Sequence, residues 1–348
     1  MISFDELKVD ALLVSALPNI RYRTGFTGDN ALLIETPDSR TLFTDPRFTI
    51  QASQECSCKV RVVSKGPLEL AAVEIIRRKK LKRIGFEASR LTYDVYLRLK
   101  QSVPLGATLK PLGAVVEKLR MIKSADEIAR IRRSVITNSQ AFERTIRSIR
   151  PGVSEAAVAA KLEFEMRRLG AEKAAFDTIV AAGDRSSLPH ARPTAKLVAK
   201  DELLLIDMGA CQNGYMSDMT RMLFVGRPGA RVQRMYASVA RAQLAAIDAV
   251  RPGASAAQVD RQARKVLESD GFGKAFVHST GHGLGLEIHE PPRVGRSERT
   301  TLEAGMVITI EPGAYIRGFG GIRLEDTVLV TENGCEVLTP TSKELILL

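Results

Sequence analysis

Four acidic residues stand in two pairs, and in each pair the first member ends a strand-like apolar run. Asp207 and Asp218 form the first pair, and Glu311 and Glu325 form the second. A glycine-containing segment separates the members of each pair, so each pair is predicted to lie on a hairpin with its carboxylates roughly opposite each other. Like charges placed opposite each other destabilise a sheet. Their convergence would require protonation, arginine pairing or bound cations.

The histidines favour bound cations among these three remedies. The chain has four histidines, and three of them, His278, His282 and His289, lie within one glycine-rich segment. Arg221 and Arg323 are close enough in sequence to pair with some of the acids. Four carboxylates and a histidine suit two divalent ions better, because carboxylate and imidazole groups are common metal ligands.

The acidic pairs belong to a longer internal duplication. Residues 150–154 (Arg-Pro-Gly-Val-Ser) match residues 251–255 (Arg-Pro-Gly-Ala-Ser), and residues 205–210 resemble residues 309–314. In each copy a Pro-Gly turn leads to an N-cap serine, an amphipathic helix and a terminating glycine. The repeat is too long for a solenoid. Two copies of a helix-plus-strands unit are therefore predicted to face each other across a pseudo-twofold axis.

The region before the duplication has a different pattern. Short apolar runs such as 11–14 and 31–34 alternate with helical stretches such as 68–80, which is typical of an α/β domain. A capping box at 124–127 opens a helix predicted to run to about residue 149. The sequence thus predicts a domain at residues 1–120 and a second domain at residues 121–348.

Together these residues resemble the pita-bread metallopeptidases, a family that includes Xaa-Pro dipeptidase (prolidase), aminopeptidase P and methionine aminopeptidase. The resemblance covers residues ~124 to 340 closely, as a domain of ordinary size, and more weakly the first ~120 residues. It implies an α+β fold: a pita-bread catalytic domain with an internal pseudo-twofold duplication, preceded by a smaller α/β creatinase-type domain. The motifs that carry it are Ser217-Asp218-Met-Thr-Arg221, His282-Gly-Leu-Gly, His289-Glu, Ile310-Glu311-Pro-Gly and Arg323-Leu-Glu325-Asp.

The resemblance also implies roles for individual residues. Five residues would hold two divalent ions, with Mn²⁺ favoured and Co²⁺ or Zn²⁺ as alternatives: Asp207, Asp218, His282, Glu311 and Glu325. Asp218 and Glu325 would bridge both ions, and Glu311 would also carry a proton toward the departing amine. His190 and His289 match the two active-site histidines that are not ligands.

The implied substrates are short proline-containing peptides, cleaved between the first residue and proline. The additional N-terminal domain favours Xaa-Pro enzymes over methionine aminopeptidase. Arg293 would bind the free carboxylate of a dipeptide through two hydrogen bonds, which favours the dipeptidase. Arg323 and His278 are further candidates for substrate contacts, and His278 could instead support the ligand His282.

Three alternatives remain at this point. The chain could be an aminopeptidase P that acts on tripeptides and longer peptides. It could be a metal-free hydrolase like creatinase, although such an enzyme lacks several of the five ligands. It could also be a non-catalytic binding module on the same fold, to which the net charge of +11 lends slight support.

Composition bears on location and partners. The basic run 77–80 has no interleaved aromatic residues, which argues against a stacking surface for nucleic acid. The N-terminus has no signal-peptide pattern, and no stretch is apolar enough for a membrane helix. Four scattered cysteines read as reduced thiols. We therefore expect a soluble cytoplasmic protein, and a homodimer is expected from the family resemblance.

Overall fold

A computed structural model of the chain describes residues 2–348. The chain divides into two compact units, Met1–Arg120 and Met121–Leu348. The first unit is built on one mixed six-stranded sheet whose strand order is β4-β3-β2-β1-β5-β6. These strands are β1 (Ala11–Val14), β2 (Ala31–Thr36), β3 (Ser39–Thr44), β4 (Lys59–Val62), β5 (Arg83–Glu87) and β6 (Thr108–Leu112).

Helices complete the first unit, and the alternation of side chains explains how the sheet is buried on both faces. In β1, Ala11 and Leu13 join one apolar cluster, whereas Leu12 and Val14 join another, because successive strand residues point to opposite faces. The helices are α1 (Phe4–Leu7), α2 (Leu17–Thr24), α3 (Thr49–Glu55), α4 (Leu68–Arg78), α5 (Tyr93–Ser102) and α6 (Val115–Met121).

Four longer helices belong to the second unit, and serine caps begin three of them. Ser124 caps the first with the predicted capping box, and Ser154 and Ser255 cap the corresponding helices of the two copies. The first helix ends at Ile146, slightly before the predicted end. The helices are α7 (Ala125–Ile146), α8 (Glu155–Arg168), α9 (Ala230–Asp248) and α10 (Ala256–Ser269). Among residues 2–348, no helix is both long and apolar enough to cross a membrane.

The strands of the second unit form several small sheets that repeat in the two copies. One four-stranded sheet has the order β20-β12-β9-β8, and one five-stranded sheet has the order β14-β13-β15-β18-β19. The first copy contributes β7 (Lys173–Ala174), β8 (Ile179–Ala182), β9 (Glu202–Met208), β10 (Ala210–Gln212), β11 (Tyr215–Met216) and β12 (Met219–Val225). The second contributes β13 (Gly281–Gly283), β14 (Glu290–Val294), β15 (Val307–Ile310), β16 (Gly313–Ile316), β17 (Gly320–Arg323), β18 (Asp326–Val330), β19 (Cys335–Val337) and β20 (Ile346–Leu347).

The register of the first hairpin corrects one expectation. Asp207 on β9 pairs with Thr220 on β12, so Asp218 lies diagonally across from Asp207 instead of opposite it. The cause is the turn, in which Asn213 and Gly214 both have positive φ (52° and 76°). This is the signature of a two-residue hairpin turn, whose position fixes the register of both strands. Asp207 and Asp218 nevertheless project from the same face, because residues two apart on a strand do so.

The second hairpin has the expected register. Ile310 on β15 pairs with Asp326 on β18, and the outer part of the same hairpin continues with Gly313 paired to Arg323. Glu311 and Glu325 lie at the junction between these two ladders, where the same register places them opposite each other. The two hairpins thus present their carboxylates at corresponding points of the duplication.

Candidate metal centre

Five predicted ligands lie at or beside the ends of strands in the second unit. Asp207 is the penultimate residue of β9, and Asp218 immediately precedes β12. Glu311 immediately follows β15, and Glu325 immediately precedes β18. His282 is the central residue of the short strand β13. The strands hold these side chains rigidly, while the strand ends face a cavity. The side chains are therefore fixed in position without being enclosed in the core.

Three of these side chains come together closely. Asp218, His282 and Glu325 each offer a ligand atom, and these atoms lie within 4.8 Å of one another. His282 Nε2 is also 3.3 Å from Glu311 Oε1 and 3.6 Å from Asp218 Oδ2. Asp207 lines the same cavity as the other four. The structure therefore brings the five predicted ligands into one site.

Within this site, hydrogen-bond acceptors face one another. His282 Nδ1 lies 3.0 Å from the carbonyl oxygen of Gly283, which favours a proton on Nδ1 and a lone pair on Nε2. That lone pair faces the carboxylates of Asp218 and Glu311. In addition, three buried carboxylate oxygens have no hydrogen-bond partner among the described residues: Asp207 Oδ1, Asp218 Oδ1 and Glu325 Oε1.

The crowding of these acidic side chains is reflected in their pKa values. Burial, reinforced by the Glu325 carboxylate, raises the pKa of Asp218 well above its usual range. Burial and repulsion from Glu311 and Asp207 do the same to the pKa of Glu325. The pKa of Glu311 rises to about 7, mainly through burial, although Arg323 opposes the change. Burial lowers the pKa of His282, which keeps its imidazole neutral. A hard divalent cation would satisfy the orphaned oxygens and remove this repulsion, so the residues present fit such an ion.

Arg323 occupies a supporting position behind the acids. Its side chain is 3% exposed and lies 2.5 Å from Asp207 Oδ2 through Nη2. It also donates to Thr220 Oγ1 (3.1 Å) and to the hydroxyl of Tyr315 (2.7 Å). Arg323 thus neutralises part of the acidic cluster, and these contacts favour an orienting role over the direct substrate contact expected from the sequence.

His278 is likewise committed to protein partners. Its Nδ1 lies 2.7 Å from the carbonyl oxygen of Ser279, and its Nε2 lies 2.8 Å from the Tyr315 hydroxyl. Burial lowers the pKa of His278 to about 4. With both ring nitrogens engaged, the geometry favours support of Tyr315 over contact with a substrate.

Two residues that contact the site were not predicted from the sequence. The Thr220 hydroxyl donates to Glu325 Oε2 (2.7 Å), and Tyr315 links His278 to Arg323. A signal for Thr220 did exist: it follows Asp218 by two positions, as Thr327 follows Glu325 in the other copy. Nothing in the single sequence marks Tyr315, because its role depends on strand β16 folding back against β17.

A cavity of about 810 Å³ opens onto the acidic cluster. His190, His289 and Arg293 line it, together with the apolar side chains of Phe176 and Ile179. The His289 ring packs edge-on against the His282 ring, with centroids 4.4 Å apart. Within residues 2–348, neither the His190 imidazole nor the Arg293 guanidinium forms a hydrogen bond or an ion pair. A duplicated α+β unit with a carboxylate- and histidine-lined cavity of this kind defines a metal-dependent hydrolase.

Comparisons with known proteins agree with this class. The chain matches the models of metallopeptidase family M24 over residues 129–332 and of the creatinase/prolidase N-terminal domain over residues 3–122. A Xaa-Pro dipeptidase from Pyrococcus furiosus is 39% identical over 344 residues, which cover 98% of this chain and 97% of that protein. This chain belongs to metallopeptidase family M24 and carries the creatinase-type N-terminal domain.

Solved structures support the same assignment. A Xaa-Pro dipeptidase from Bacillus anthracis has a TM-score of 0.96 at 38% identity, with 99% of this chain and 97% of that chain covered. An X-Pro aminopeptidase from Thermotoga maritima has a TM-score of 0.92 at 34% identity, with 99% of each chain covered. The predicted fold class and the prediction of a metallopeptidase are thereby confirmed.

Proposed function

We propose that the second unit holds two divalent ions, with Mn²⁺ as the preferred metal. Asp207 would bind one ion, His282 and Glu311 the other, and Asp218 and Glu325 both. The orphaned oxygens of Asp207, Asp218 and Glu325 support this proposal, since each would gain a partner. When bound, such ions acidify a water molecule at neutral pH and polarise a peptide carbonyl.

The remaining chemistry is assigned to side chains of the cavity. Glu311 would take the proton released by the attacking water and pass it to the departing amine, as a general base and then a general acid. His190 and His289 would donate hydrogen bonds to the scissile carbonyl oxygen and to the oxyanion that develops on it. Both rings line the cavity, and the His190 ring nitrogens have no hydrogen-bond partner among the described residues.

The proposed substrates are Xaa-Pro dipeptides. The observation that carries this choice is Arg293, whose exposed guanidinium lines the cavity and has no ion-pair partner among residues 2–348. An unpaired guanidinium beside a hydrolytic centre suits a terminal carboxylate, which it can bind through two parallel hydrogen bonds. A dipeptide places that carboxylate directly on the proline, close to the bond that is cut.

Proline itself suits the cavity wall. A peptide bond to proline has no N–H, so the site must hold its substrate through other groups. Phe176, Ile179 and Ile288 give the cavity an apolar side that can bury the pyrrolidine ring. The relatives described as Xaa-Pro dipeptidases support the same substrate class for this chain.

Aminopeptidase P is the second candidate. The cavity volume of about 810 Å³ leaves room for a third residue, and the X-Pro aminopeptidase from Thermotoga maritima shares the whole fold. The deciding experiment measures hydrolysis of matched Xaa-Pro dipeptides and Xaa-Pro-Yaa tripeptides, using metal-stripped protein before and after addition of Mn²⁺, Co²⁺ or Zn²⁺. Cleavage of tripeptides alone would move the assignment to aminopeptidase P. Nucleic-acid binding without any hydrolysis would favour a binding module.

A variant of Arg293 tests the carboxylate contact directly. Arg293→Met should raise KM for an Xaa-Pro dipeptide roughly 10- to 100-fold, because a charge-assisted pair of hydrogen bonds is lost. KM for the same dipeptide with a C-terminal amide should barely change. Arg296→Met is the matched control, since Arg296 is exposed and does not line the cavity. Equal losses on acid and amide would contradict the assignment of Arg293.

The proposal also covers the domain organisation, the oligomeric state and the cellular location. Residues 1–120 would form the creatinase-type domain and residues 121–348 the catalytic domain, an assignment supported by the two compact units. A homodimer is proposed as the working form. The four cysteines are all free thiols, which supports a cytoplasmic location.

A further inference from the structure

A buried ion pair lies beside the histidine-bearing segment of the second unit. Lys123 Nζ is 3.4 Å from Glu290 Oε2, and each side chain is 2% exposed. Lys123 is anchored through its backbone, which donates to the carbonyl oxygen of Gly305 (2.9 Å). Burial of two opposite charges is costly unless their geometry is maintained. A pair kept in such a place is therefore a candidate for a positional role.

The Glu290 carboxylate also organises the preceding loop, residues 283–289. Its Oε1 accepts a hydrogen bond from the backbone of Glu287 (3.0 Å). Gly285 packs directly against it, since a Cβ placed there would lie 2.8 Å from the same oxygen. The far side of the loop is attached to the first copy, because Met216 donates to the carbonyl oxygen of Gly285 (2.8 Å). The loop is thus held by the Glu290 carboxylate on the side of Lys123 and by a backbone hydrogen bond to β11 on the other side.

This loop connects two imidazoles of the site. His282 precedes it and His289 ends it, and their rings pack against each other with centroids 4.4 Å apart. We infer that Lys123 and Glu290 are positioning residues, which hold the loop so that the two rings keep their mutual orientation. The inference rests on the proposed function only for the role of His289.

The histidine count permits a test that needs neither metal nor substrate. With four histidines in the chain, the side-chain NMR spectrum of metal-free, histidine-labelled protein contains few signals, and single substitutions can assign them. Lys123→Met should shift the signals of His282 and His289 and leave His190 unmoved. The matched control Lys161→Met removes a lysine from an ion pair in which the lysine side chain is 41% exposed. This control should move none of the histidine signals. Unchanged His282 and His289 signals in Lys123→Met would overturn the inference.

Kinetics on Xaa-Pro substrates supply the second arm. Lys123→Met should lower kcat/KM roughly 10- to 100-fold, as loss of an outer partner commonly does. In a His289→Ala background the same change should have a smaller effect, because the part that acts through the His289 imidazole is already lost. Full additivity in this cycle would mean that the pair acts elsewhere and would overturn the inference. If wild type cleaves no Xaa-Pro peptide, the proposed function fails, while the NMR result still decides the positioning role.

A second variant covers the case in which Lys123→Met does not fold. Removing one member deprives the other buried charge of this ion pair, whereas Lys123→Met with Glu290→Gln removes both charges, so the double variant should unfold at a higher temperature than either single variant. The His282 and His289 signals should remain displaced in the double variant, because a Met-Gln contact does not replace the ionic one. Restoration of wild-type signals together with stability would show that the pair contributes to stability alone.

Discussion

Thr220 joins two oppositely charged side chains at the centre. Its hydroxyl donates to Glu325 Oε2 and accepts from Arg323 Nε, so a single hydroxyl sets the distance between an acid and the guanidinium behind it. Arg323 in turn contacts Asp207. The acids on the two hairpins are therefore oriented by shared hydrogen bonds as well as by their strands. Partners of this kind fix how a ligand atom points.

Substitution of Thr220 tests this coupling. Thr220→Val keeps the shape of the side chain but removes the hydroxyl, which leaves one more oxygen of Glu325 without a partner. We expect Mn²⁺ affinity to fall roughly 10- to 100-fold, as measured by titration of metal-free protein. Thr220→Ser keeps the hydroxyl and should bind Mn²⁺ much as wild type does. Equal affinities in all three proteins would show that Thr220 does not orient Glu325.

At the scale of elements, β13 packs unusually close to β15. A Cβ built on Gly281 would lie 1.9 Å from the carbonyl oxygen of Thr309, so only glycine permits this approach. The short distance between the strands lets the Thr309 hydroxyl contact both sides. It accepts a hydrogen bond from the His282 backbone (3.1 Å) and donates one to Glu311 Oε1 (3.2 Å). The spacing of these two strands thus sets the distance between an imidazole and an acid of the centre.

Gly281→Ala should disturb stability and site together. The added methyl group forces the strands apart, and overpacking of this kind costs up to about 3 kcal/mol of unfolding free energy. Chemical denaturation would measure that loss, and Mn²⁺ titration should show weakened binding. Gly334→Ala is the matched control, because a Cβ there meets nothing within 4 Å. A variant as stable as the control would mean that β13 can move away without cost.

Periodicity, caps and the internal repeat were sufficient to predict strands such as β1 and β2, helices such as α4 and α7, and the two hairpins from the sequence. The capping box of Ser124 and the serine caps of the two copies are confirmed. The position of Asp218 relative to Asp207 was wrong by two residues, because symmetry about the midpoint ignored the turn at Asn213 and Gly214. The contacts of Tyr315 and of Lys123 join residues far apart in the chain, and local patterns carry no information on such pairs.

At the scale of the whole molecule, the fold gathers several carboxyl groups in one largely buried site. Asp218, Glu311 and Glu325 all have raised pKa values, chiefly because they are buried. The metal-free folded state therefore retains protons that the unfolded chain releases. Stability falls with rising pH whenever the folded state binds more protons, so this site destabilises the metal-free protein from the ordinary carboxyl range upward.

Metal removal should reveal that dependence. For Glu311 the loss begins near its ordinary pKa of 4.5 and extends through about 7. We expect the rise in Tm on adding Mn²⁺ to be larger at about pH 8 than at about pH 5.5, because the ion binds the ionised ligands. Differential scanning calorimetry of stripped and loaded protein measures this. An increment that does not vary with pH would contradict a site made of these acids.

The hydrogen bonds between the two copies have a consequence for how such a site can change over time. The Thr220 hydroxyl serves the side chain of Glu325, and the Thr327 hydroxyl serves the backbone carbonyl of Asp218 (3.0 Å). Each repeat therefore supplies a hydrogen bond to an acidic residue of the other repeat. A mutation in one repeat therefore affects an acidic residue of the other repeat. For this reason the two halves must evolve as a single unit, although they began as copies.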